Sequence, residues 1–572
     1  MRSVLLVALA ASAVLLAGAL APFAAAAADD PSAYPDVTGA RLAAAAQDDG
    51  WLMYRRTYDS QGYAPFEDIT AANVGSLHPV FTYATGMPQG HESPPIVNGN
   101  TMIVTTPLDG VVALDATTGS VLWTYKYPFS LDALGSVCCD VVNRGVALWG
   151  TNLYLGTIDD HLVALDARTG HVVWNRTVAP IDGHYAITGA PLAVDGKIIT
   201  GVAGGEYGAR GFVAAFDAAT GAPLWKRWTI PAPGEPGGNT WPRGAYKRGG
   251  GDTWLTGSYD PATRTLFWGT GNPGPWFAGT RPGDNLYSDS LLALNVDTGA
   301  IKWHFQFTPH DTWDYDGVNE SVLVDLRRGD ETVPAIVHAD RNGFFIALDR
   351  RNGKLLYARP FVKQTTILGY TAAGRAIIDP AVYPKVGGKD VFGCPSASGG
   401  KNWYPVAYSP RTQLAYVPML HLCASIHATG RLSEAFGYYG EISTTVVEPG
   451  SKGFGELGAI DVRDGHKTWS FPSRYPWTGG VLATASGLVF SGNARGDFYA
   501  FDARTGAVLW QHRLSSGIVG VPTTYRVGGK QYVAVYCGYG GGLAMFGGPA
   551  MKLTSSVPRG GKLYVFALGD AR

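Results

Sequence analysis

The sequence predicts an all-β protein built from repeated small sheets, and three observations indicate this. The 572 residues include 76 glycines and 36 prolines, and 12% are aromatic, which is typical of many short strands joined by tight turns. One short phrase recurs seven times along the chain. Most copies lie roughly fifty residues apart, the length of one four-stranded sheet.

The repeated phrase has the pattern of a β-hairpin. An Asp (Asn295 once) precedes a Gly by four residues and an aromatic residue by eight. The Asp caps the turn, the Gly supplies positive φ, and the returning strand carries the aromatic. The copies are ALDATTGSVLW ending at Trp123, ALDARTGHVVW at Trp174, AFDAATGAPLW at Trp225, ALNVDTGAIKW at Trp303, ALDRRNGKLLY at Tyr357, AIDVRDGHKTW at Trp469 and AFDARTGAVLW at Trp510.

This repeat predicts an eight-bladed β-propeller in which each outer aromatic packs against the next blade. The wide gap between Asp349 and Asp461 predicts a further sheet with a degenerate motif, around YPVAYSPRTQLAYVP at 404–418. The chain ends and the stretch before Ala113 are expected to close the ring. We therefore predict one propeller domain over residues 29–572.

The N-terminus predicts export. Its single arginine, apolar run and alanine-rich stretch before Asp29 are typical of a cleaved secretory signal, residues 1–28. An uncleaved anchor helix is the alternative, since the run from Val4 to Leu20 nearly reaches spanning length. No later segment predicts a membrane span. We expect a periplasmic or secreted protein, where disulfides persist, and the formal net charge of −1 gives no electrostatic case for nucleic acid.

Several stretches outside the repeats are too polar to be only scaffold. Equivalent loops of a propeller converge at one mouth of its channel, so we expect these segments to share a site. They are HESPP at 91, SVCCDVVNRG at 136, ITGAP at 187, VAGGEYG at 202, GGGDTWLTGSYD at 249, GTGNPGPW at 269, TPHDTWDYDG at 308, ADRNG at 339 and GGKNWYP at 399.

The residue types in these stretches indicate a cofactor. Carboxylates and one amide supply hard oxygen ligands for a calcium-like ion, arginines recognise carboxylates, and Trp254 offers a flat apolar face. Together they predict a planar, polyanionic, metal-chelating group. The adjacent Cys138 and Cys139 fit neither an ordinary framework disulfide nor a C-x-x-C site.

From about Trp51 to its C-terminus, the sequence resembles the pyrroloquinoline quinone (PQQ) dependent alcohol dehydrogenases, above all in CCDVVNRG and PHDTWDYDG. The resemblance implies a PQQ at the channel mouth, a disulfide between Cys138 and Cys139 against one face of the quinone, and Trp254 against the other. It further implies PQQ contacts for Glu92, Arg144, Thr188, Gly204, Gly205, Arg341, Asn402 and Trp477. Ala203 and Gly205 depart from the family, whose members often carry serine and alanine there.

The resemblance also implies the catalytic and metal-binding residues. Asp314 matches the catalytic base, and Arg341 matches the basic residue beside the reactive quinone oxygens. Glu206, Asn272, Asp314 and Asp316 match metal ligands. Asp316 is the residue that lanthanide enzymes carry, and its extra negative charge suits a trivalent ion better than Ca²⁺; we therefore predict lanthanide(III). If residues 314–316 are extended, the two Asp side chains point the same way.

Further expectations concern the other cysteines, the electron acceptor and the substrate. The resemblance implies a Cys394–Cys423 disulfide, which leaves Cys537 as a free thiol. Because no C-x-x-C-H occurs, the chain carries no c-type haem, and a soluble cytochrome c is the expected acceptor. A homodimer is possible. The glycines of CGYGGGLAMFGGPA at 537 favour alcohols larger than methanol.

Two other functions share some of these features. One is a non-catalytic propeller that serves as a scaffold or assembly protein, which would carry the repeat but would not need vicinal cysteines or DYD. The other is a quinoprotein dehydrogenase of sugars or polyols. Those enzymes often have membrane anchors and lack the vicinal pair.

Overall fold

The structure, a computed structural model, describes residues 34–432 and 439–569. The predicted signal, residues 1–28, lies outside the described residues, as do the two ends of the predicted domain, 29–572. Among the described helices, none combines the length and the apolar character that crossing a membrane requires. The α-helices found there are short and comprise Gly39–Ala43, Gly542–Phe546 and Pro549–Thr554.

The described residues form eight four-stranded antiparallel sheets, which we number blades 1 to 8. The strands of blades 1 and 2 are Ile96–Asn98, Thr101–Thr106, Gly110–Asp115 and Val121–Tyr125, then Val146–Trp149, Asn152–Gly156, His161–Asp166 and Val172–Thr177. Those of blades 3 and 4 are Leu192–Val194, Lys197–Gly201, Phe212–Asp217 and Pro223–Trp228, then Ser258–Asp260, Thr265–Gly269, Ser290–Asn295 and Ile301–Gln306.

The remaining blades follow the same plan, apart from the last strand of blade 8. The strands of blades 5 and 6 are Val322–Arg328, Glu331–Ala339, Phe344–Asp349 and Leu355–Pro360, then Ala407–Ser409, Leu414–Leu420, Gly455–Asp461 and Lys467–Ser473. Those of blades 7 and 8 are Leu482–Thr484, Leu488–Gly492, Asp497–Asp502 and Val508–Arg513, then Thr523–Val527, Lys530–Cys537, Lys562–Leu568 and Leu77–Ala84. In blade 7, Tyr63–Ala64 adds a short parallel strand beside Leu482–Thr484.

The repeated phrase forms the hairpin between the third and fourth strands of blades 1 to 7, as predicted. In blade 1, Asp115 Oδ1 accepts hydrogen bonds from the backbone N–H groups of Thr117 and Thr118, at 2.9 and 2.8 Å. Gly119 has φ +75°, which a residue with a side chain rarely adopts. The Asp and Gly of the phrase therefore fix the turn, and the turn fixes the register of the returning strand.

The outer tryptophans join consecutive blades, which confirms the predicted docking. Trp123 Nε1 of blade 1 donates to Ala167 O of blade 2 at 3.1 Å, and its ring lies so close to Gly170 that a Cβ there would be 2.5 Å from it. Equivalent indole bonds are Trp174 to Ala218, Trp225 to Val296, Trp469 to Ala503 and Trp510 to Leu77. The motif glycine is thus also the surface on which the preceding blade's indole rests.

The ring closes through the two ends of the described chain. Leu77–Ala84 pairs with Lys562–Leu568 as the outer strand of blade 8. From this strand, Phe81 lies against Gly119 of blade 1, where an added Cβ would be 2.3 Å from the ring. The contacts therefore run in cyclic order from blade 1 to blade 8 and back.

One prediction about the blades is wrong. The segment at 404–418 is not a separate sheet with a degenerate motif, because it supplies the first two strands of blade 6. The eighth blade consists of the chain ends instead. The rest of the gap holds two small sheets, whose strands are Ile367–Tyr370 with Ala376–Ile378, and Val391–Gly393 with Leu422–Ala428 and Glu441–Val447.

Strand direction explains how the polar stretches meet. Successive strands of a blade run in opposite directions, so the loop after the second strand opens at the same end as the connection between blades. Glu206, Asn272 and Arg341 follow second strands. Cys138, Arg144, Thr188, Trp254, Asp314, Asp316 and Asn402 lie in connections between blades.

Candidate active site

One arginine joins two acidic side chains at this end of the ring. Arg341 Nη1 lies 3.0 Å from Asp314 Oδ2, and its Nη2 lies 3.2 Å from Asp316 Oδ2. The side chains of Arg341 and Asp316 are buried, and that of Asp314 is 14% exposed. Because little water screens them, these charge-assisted contacts hold the three groups firmly together.

The loop that carries the two acids is wrapped around a third carboxylate. Asp311 accepts backbone hydrogen bonds from Trp313 at 3.1 Å, from Asp314 at 3.1 Å and from Tyr315 at 3.3 Å. Asp314 has φ +63°, so the segment 314–316 is not extended and strand alternation does not explain why the two Asp side chains meet. The two Asp side chains meet because Asp311 holds the loop and Arg341 draws both carboxylates to one point.

Asp316 also connects the arginine to two neighbouring loops. Its Oδ2 accepts a hydrogen bond from Trp254 Nε1 at 3.1 Å, and its Oδ1 accepts one from the Asn272 backbone N–H at 2.6 Å. These bonds orient the indole and hold the Asn272 backbone against the Asp316 carboxylate. Asp316 is therefore the centre of a small network of side chains.

The site holds more negative charge than the protein itself neutralises. Burial and the Asp316 carboxylate raise the pKa of Glu206 to about 7. Burial likewise holds the pKa of Asp314 well above its ordinary value, despite the nearby guanidinium. Asp314 Oδ1 and Asn272 Oδ1 are buried without a hydrogen-bond partner. Such orphaned oxygens are the ligands that a hard cation prefers.

The protein alone does not preassemble these groups as a metal site. Among the residues that the structure describes, no three His, Cys, Asp or Glu side chains are arranged to hold an ion by themselves. One proposed ligand, Asn272, is an amide, and Arg341 occupies one oxygen of each Asp carboxylate. The donor set fits a cation that a further, bound group helps to hold.

A second arginine organises the neighbouring part of the site. Arg144 Nη2 lies 2.8 Å from Glu92 Oε2, and its Nη1 donates to Thr188 Oγ1 at 2.9 Å. Its guanidinium lies 4.9 Å from the centre of the Trp254 ring and 4.7 Å from that of Trp403. Burial raises the pKa of Glu92 to about 7 although Arg144 opposes the shift. Arg144 therefore brings Glu92 and Thr188 together in one part of the site.

Trp254 links the two arginines. The Arg341 guanidinium carbon lies 5.6 Å from its ring centre, a second cation close to the indole. Cations at such distances from an indole are attracted by its electron-rich face. A half-buried ring flanked by two guanidinium groups provides a platform for a flat, negatively charged ligand.

Cys138 and Cys139 form a disulfide between neighbouring residues, as expected. Their half-buried loop is fixed by Asp140 Oδ2, which accepts hydrogen bonds from the backbone N–H groups of Gly90 at 2.8 Å and Gly541 at 3.3 Å. A Cβ on Gly542 would lie 3.5 Å from Cys139 Sγ. The glycine-rich segment after Cys537 therefore packs against the disulfide.

Comparisons with known proteins show the family to which the chain belongs. The family model described as "Glucose/ethanol/alcohol dehydrogenase, beta-propeller domain" of the PQQ class matches residues 51–373 and 439–533. The chain belongs to the PQQ-dependent alcohol dehydrogenases. It is 39% identical to the quinoprotein alcohol dehydrogenase PedH of Pseudomonas putida, over 89% of each chain. It is 36% identical to the lanthanide-dependent methanol dehydrogenase of Methylacidiphilum fumariolicum, over 91% of this chain and 92% of that one.

Solved structures of similar enzymes share the fold. A europium-containing methanol dehydrogenase superposes with a TM-score of 0.88 at 36% identity, over 92% of this chain and 100% of that chain. The quinohemoprotein alcohol dehydrogenase of Comamonas testosteroni superposes with a TM-score of 0.87 at 35% identity, over 94% of this chain and 83% of that chain. The propeller architecture is therefore that of known alcohol-oxidising quinoproteins.

The residues present fit PQQ. The quinone is flat and carries carboxylates, and the chain offers a half-buried indole, a half-buried disulfide and the guanidinium groups of Arg144 and Arg341. The orphaned oxygens of Asp314 and Asn272 fit a cation beside it. The roles of these residues remain predictions.

The departure at residues 203–205 has a structural counterpart. Gly204 has φ +126°, and a Cβ there would lie 2.1 Å from His184 O, so glycine is required. The Gly205 N–H donates to Asp252 Oδ2 at 3.3 Å, within the protein. The expectation that this amide binds a PQQ carboxylate therefore competes with a contact that the chain already makes.

Two expected PQQ contacts have side chains engaged elsewhere. Trp477 is completely buried, where it stacks on Tyr499 and donates from Nε1 to Ser491 Oγ at 2.8 Å. Asn402 donates to Ser398 O at 3.0 Å and accepts from the Trp403 backbone N–H at 2.9 Å. The Trp477 indole thus belongs to the packing between blades 6 and 7, which leaves its main chain for any contact with the cofactor.

Sequence reasoning missed two residues of the site. The Trp403 ring centre lies 4.7 Å from the Arg144 guanidinium, and Asp252 lies beside the Gly204–Glu206 turn. Both were visible in the polar stretches GGKNWYP and GGGDTWLTGSYD. The signal available in the sequence was an Asp two residues before the platform tryptophan.

The remaining cysteines have structural roles. Cys394 and Cys423 form the expected second disulfide, between residues 29 apart in sequence. Cys537 is free and buried, with Ser515 Oγ 3.6 Å from its sulfur. Burial raises the pKa of this thiol, which keeps it in the unreactive protonated form.

Proposed function

We propose that this protein oxidises alcohols to aldehydes or ketones by hydride transfer to PQQ, with a lanthanide(III) ion beside the quinone. The observation that carries the proposal is Arg341, which pairs with Asp314 and Asp316 while Asp314 Oδ1 is left without a partner. When bound, PQQ supplies the acceptor for a hydride from the alcohol carbon and the ion supplies a Lewis acid.

Asp314 is the proposed base. Its Oδ2 is engaged by Arg341, so its orphaned Oδ1 is the oxygen that accepts the hydroxyl proton of the alcohol. The Asp311 carboxylate fixes the Asp314 backbone and so holds this oxygen in place. Arg341 in turn places a permanent positive charge where negative charge develops during the reaction.

Glu206, Asn272, Asp314 and Asp316 are the proposed metal ligands. Asp316 adds a third carboxylate to the proposed ligands, and its additional negative charge favours a trivalent over a divalent ion. Two similar proteins are named lanthanide-dependent and europium-containing methanol dehydrogenases. Both observations support lanthanide(III) over Ca²⁺ for this chain.

PQQ is proposed to lie between Trp254 and the Cys138–Cys139 disulfide. The Asp316–Trp254 hydrogen bond orients the indole, so the metal-binding loop and the cofactor platform are coupled. Arg144 holds Glu92 and Thr188, and the guanidinium groups of Arg144 and Arg341 both lie near the Trp254 ring. These contacts position a flat polyanion and exclude water from both of its faces.

The place of action and the acceptor follow from the sequence. The predicted signal at residues 1–28 supports a periplasmic or secreted enzyme. The chain lacks C-x-x-C-H, so we propose that electrons pass to a separate soluble cytochrome c. The glycines around 538–542 support a substrate larger than methanol.

Reconstitution tests the proposal. The purified chain is loaded with PQQ and either La³⁺ or Ca²⁺, and a panel of primary and secondary alcohols is assayed with an artificial electron acceptor. We expect oxidation with La³⁺ and little with Ca²⁺. Activity with Ca²⁺ alone would refute the lanthanide assignment. If the PQQ-loaded protein oxidises no alcohol with either ion, the result would favour the alternative of a non-catalytic propeller scaffold.

A further inference from the structure

Asp252 is a buried carboxylate that lies beside the proposed metal ligands. No role was assigned to it from the sequence. It is only 2% exposed. Its Oδ2 accepts the Gly205 N–H at 3.3 Å, while its Oδ1 is buried and has no hydrogen-bond partner. An oxygen that is both buried and unpaired is costly unless a cation or another donor faces it.

Asp252 lies close to Asp316 because the residue between their side chains, Gly271, has no side chain of its own. A Cβ on Gly271 would lie 2.3 Å from Asp252 Oδ1 and 2.8 Å from Asp316 Oδ1. The two oxygens are therefore within about 5 Å of each other. Gly271 has no side chain to separate them, and its N–H donates to Asp252 O at 2.6 Å, which holds the two loops together.

Asp314 and Asp316 share the guanidinium of Arg341 between them. Arg341 pairs with Asp314 at 3.0 Å and with Asp316 at 3.2 Å. With Glu206, the site thus holds four carboxylates against one guanidinium, a formal excess of three negative charges. This excess equals the charge of a trivalent ion.

We propose that Asp252 is a positioning residue that favours a trivalent over a divalent ion at the metal site. Its Oδ2 fixes the Gly204–Glu206 turn that carries the Glu206 ligand, and its Oδ1 contributes a fourth negative charge close to Asp316. The inference rests on the proposed metal ligands and adds to them a residue that sets the preference between ions.

The proposed contribution is electrostatic and therefore separable from the hydrogen bond. Asn in place of Asp252 retains an oxygen that accepts the Gly205 N–H but carries no charge. A negative charge attracts a trivalent ion more strongly than a divalent ion at the same distance. We expect Asp252→Asn to reduce the La³⁺/Ca²⁺ affinity ratio at least tenfold, mainly through weaker La³⁺ binding.

The test measures metal binding directly, without turnover. The full mature chain loaded with PQQ is dialysed against chelator-buffered La³⁺ or Ca²⁺, and bound metal is quantified by mass spectrometry for wild type, Asp252→Asn and Asp252→Ser. Near-ultraviolet circular dichroism reports whether each variant is folded, and the Ser variant provides the second measurement if the Asn variant is not. Asp349→Asn is the matched control, because it removes an Asp that is paired with Arg351 in a turn at the opposite end of a blade.

The outcomes distinguish the inference from the proposal beneath it. A lowered affinity ratio in the Asp252 variants, with the Asp349 variant equal to wild type, supports the role of Asp252. An unchanged ratio in a folded variant overturns it while the proposed ligands stand. If the wild type binds neither ion, the proposed metal site is wrong and the inference falls with it.

Discussion

The substitution Asp314→Asn tests the proposed base most directly. Asn has the shape of Asp and retains an oxygen that accepts a hydrogen bond from Arg341 Nη1, which now lies 3.0 Å from Asp314 Oδ2. The atom that replaces the orphaned Oδ1 becomes an amide nitrogen, which accepts no proton. The variant therefore removes the base while leaving most of the packing intact.

The structure sets the expected size of the loss. Arg341 occupies one Asp314 oxygen and no donor occupies the other, so no second oxygen of this side chain substitutes for the lost one. Removal of a general base costs about 10²- to 10⁴-fold in rate. This corresponds to about 3–5 kcal/mol of transition-state stabilisation. We expect kcat to fall by that factor and KM for the alcohol to change much less.

The assay follows kcat and KM with an artificial electron acceptor at saturating La³⁺, with PQQ and metal content measured on the same samples. Those contents separate a lost base from a lost ligand, because Asp314 is also proposed to bind the ion. Asp349→Asn serves again as a control for the loss of an Asp–Arg pair. A fully loaded Asp314→Asn enzyme whose kcat stays within threefold of wild type would refute the assignment.

Three further predictions concern the metal, the ring and pH. Asp316→Ala should lower La³⁺-supported activity about 100-fold or more, because the change removes a negative charge and leaves the Trp254 N–H without its acceptor. Activity after reconstitution with La³⁺ or Ca²⁺ measures the loss. An activity that depends on La³⁺ as in wild type would contradict this role of Asp316. Gly506→Ala should destabilise the protein by about 2–4 kcal/mol, because Gly506 has φ +72° and a Cβ there would lie 2.5 Å from the Trp469 ring. Denaturant unfolding measures the change. A variant as stable as wild type would contradict the packing of Trp469 on this glycine. Although burial opposes the shift, two glutamates raise the pKa of His421 to about 9, above its ordinary value of 6.5. The charge on His421 therefore stabilises the fold fully below pH 6.5, and this stabilisation is lost as pH rises through 9. The melting temperatures of wild type and His421→Gln should converge over that pH range, and a difference that stays constant would disprove the linkage.

The sequence predicted the propeller because its hairpin signal is local. Asp, Gly and the aromatic residue fix one turn within nine residues, and seven turns identify seven blades. Blade 8 has no such phrase because its outer strand, Leu77–Ala84, comes from the other end of the chain. The missing motif was therefore not degenerate, as expected at 404–418, but unnecessary.

The site was predictable only as a set of segments. The resemblance placed Asp314, Asp316 and Arg341 in one site. In the structure, the Arg341 guanidinium pairs with the carboxylates of Asp314 and Asp316. The resemblance could not show that Asp314 has positive φ, nor that Asp252 lies across Gly271 from Asp316. Those features depend on how separate loops meet. Spacing within any one loop does not encode them.

Ring closure by Leu77–Ala84 must wait until Lys562–Leu568 has been synthesised. This partner strand is translated after every other strand that the structure describes. Until then the early strand and the last blade each present an open edge, and open edges pair readily with other chains. Truncation before Lys562 therefore leaves two unpaired strand edges. We expect such truncated chains to aggregate and not to fold as a stable seven-bladed propeller.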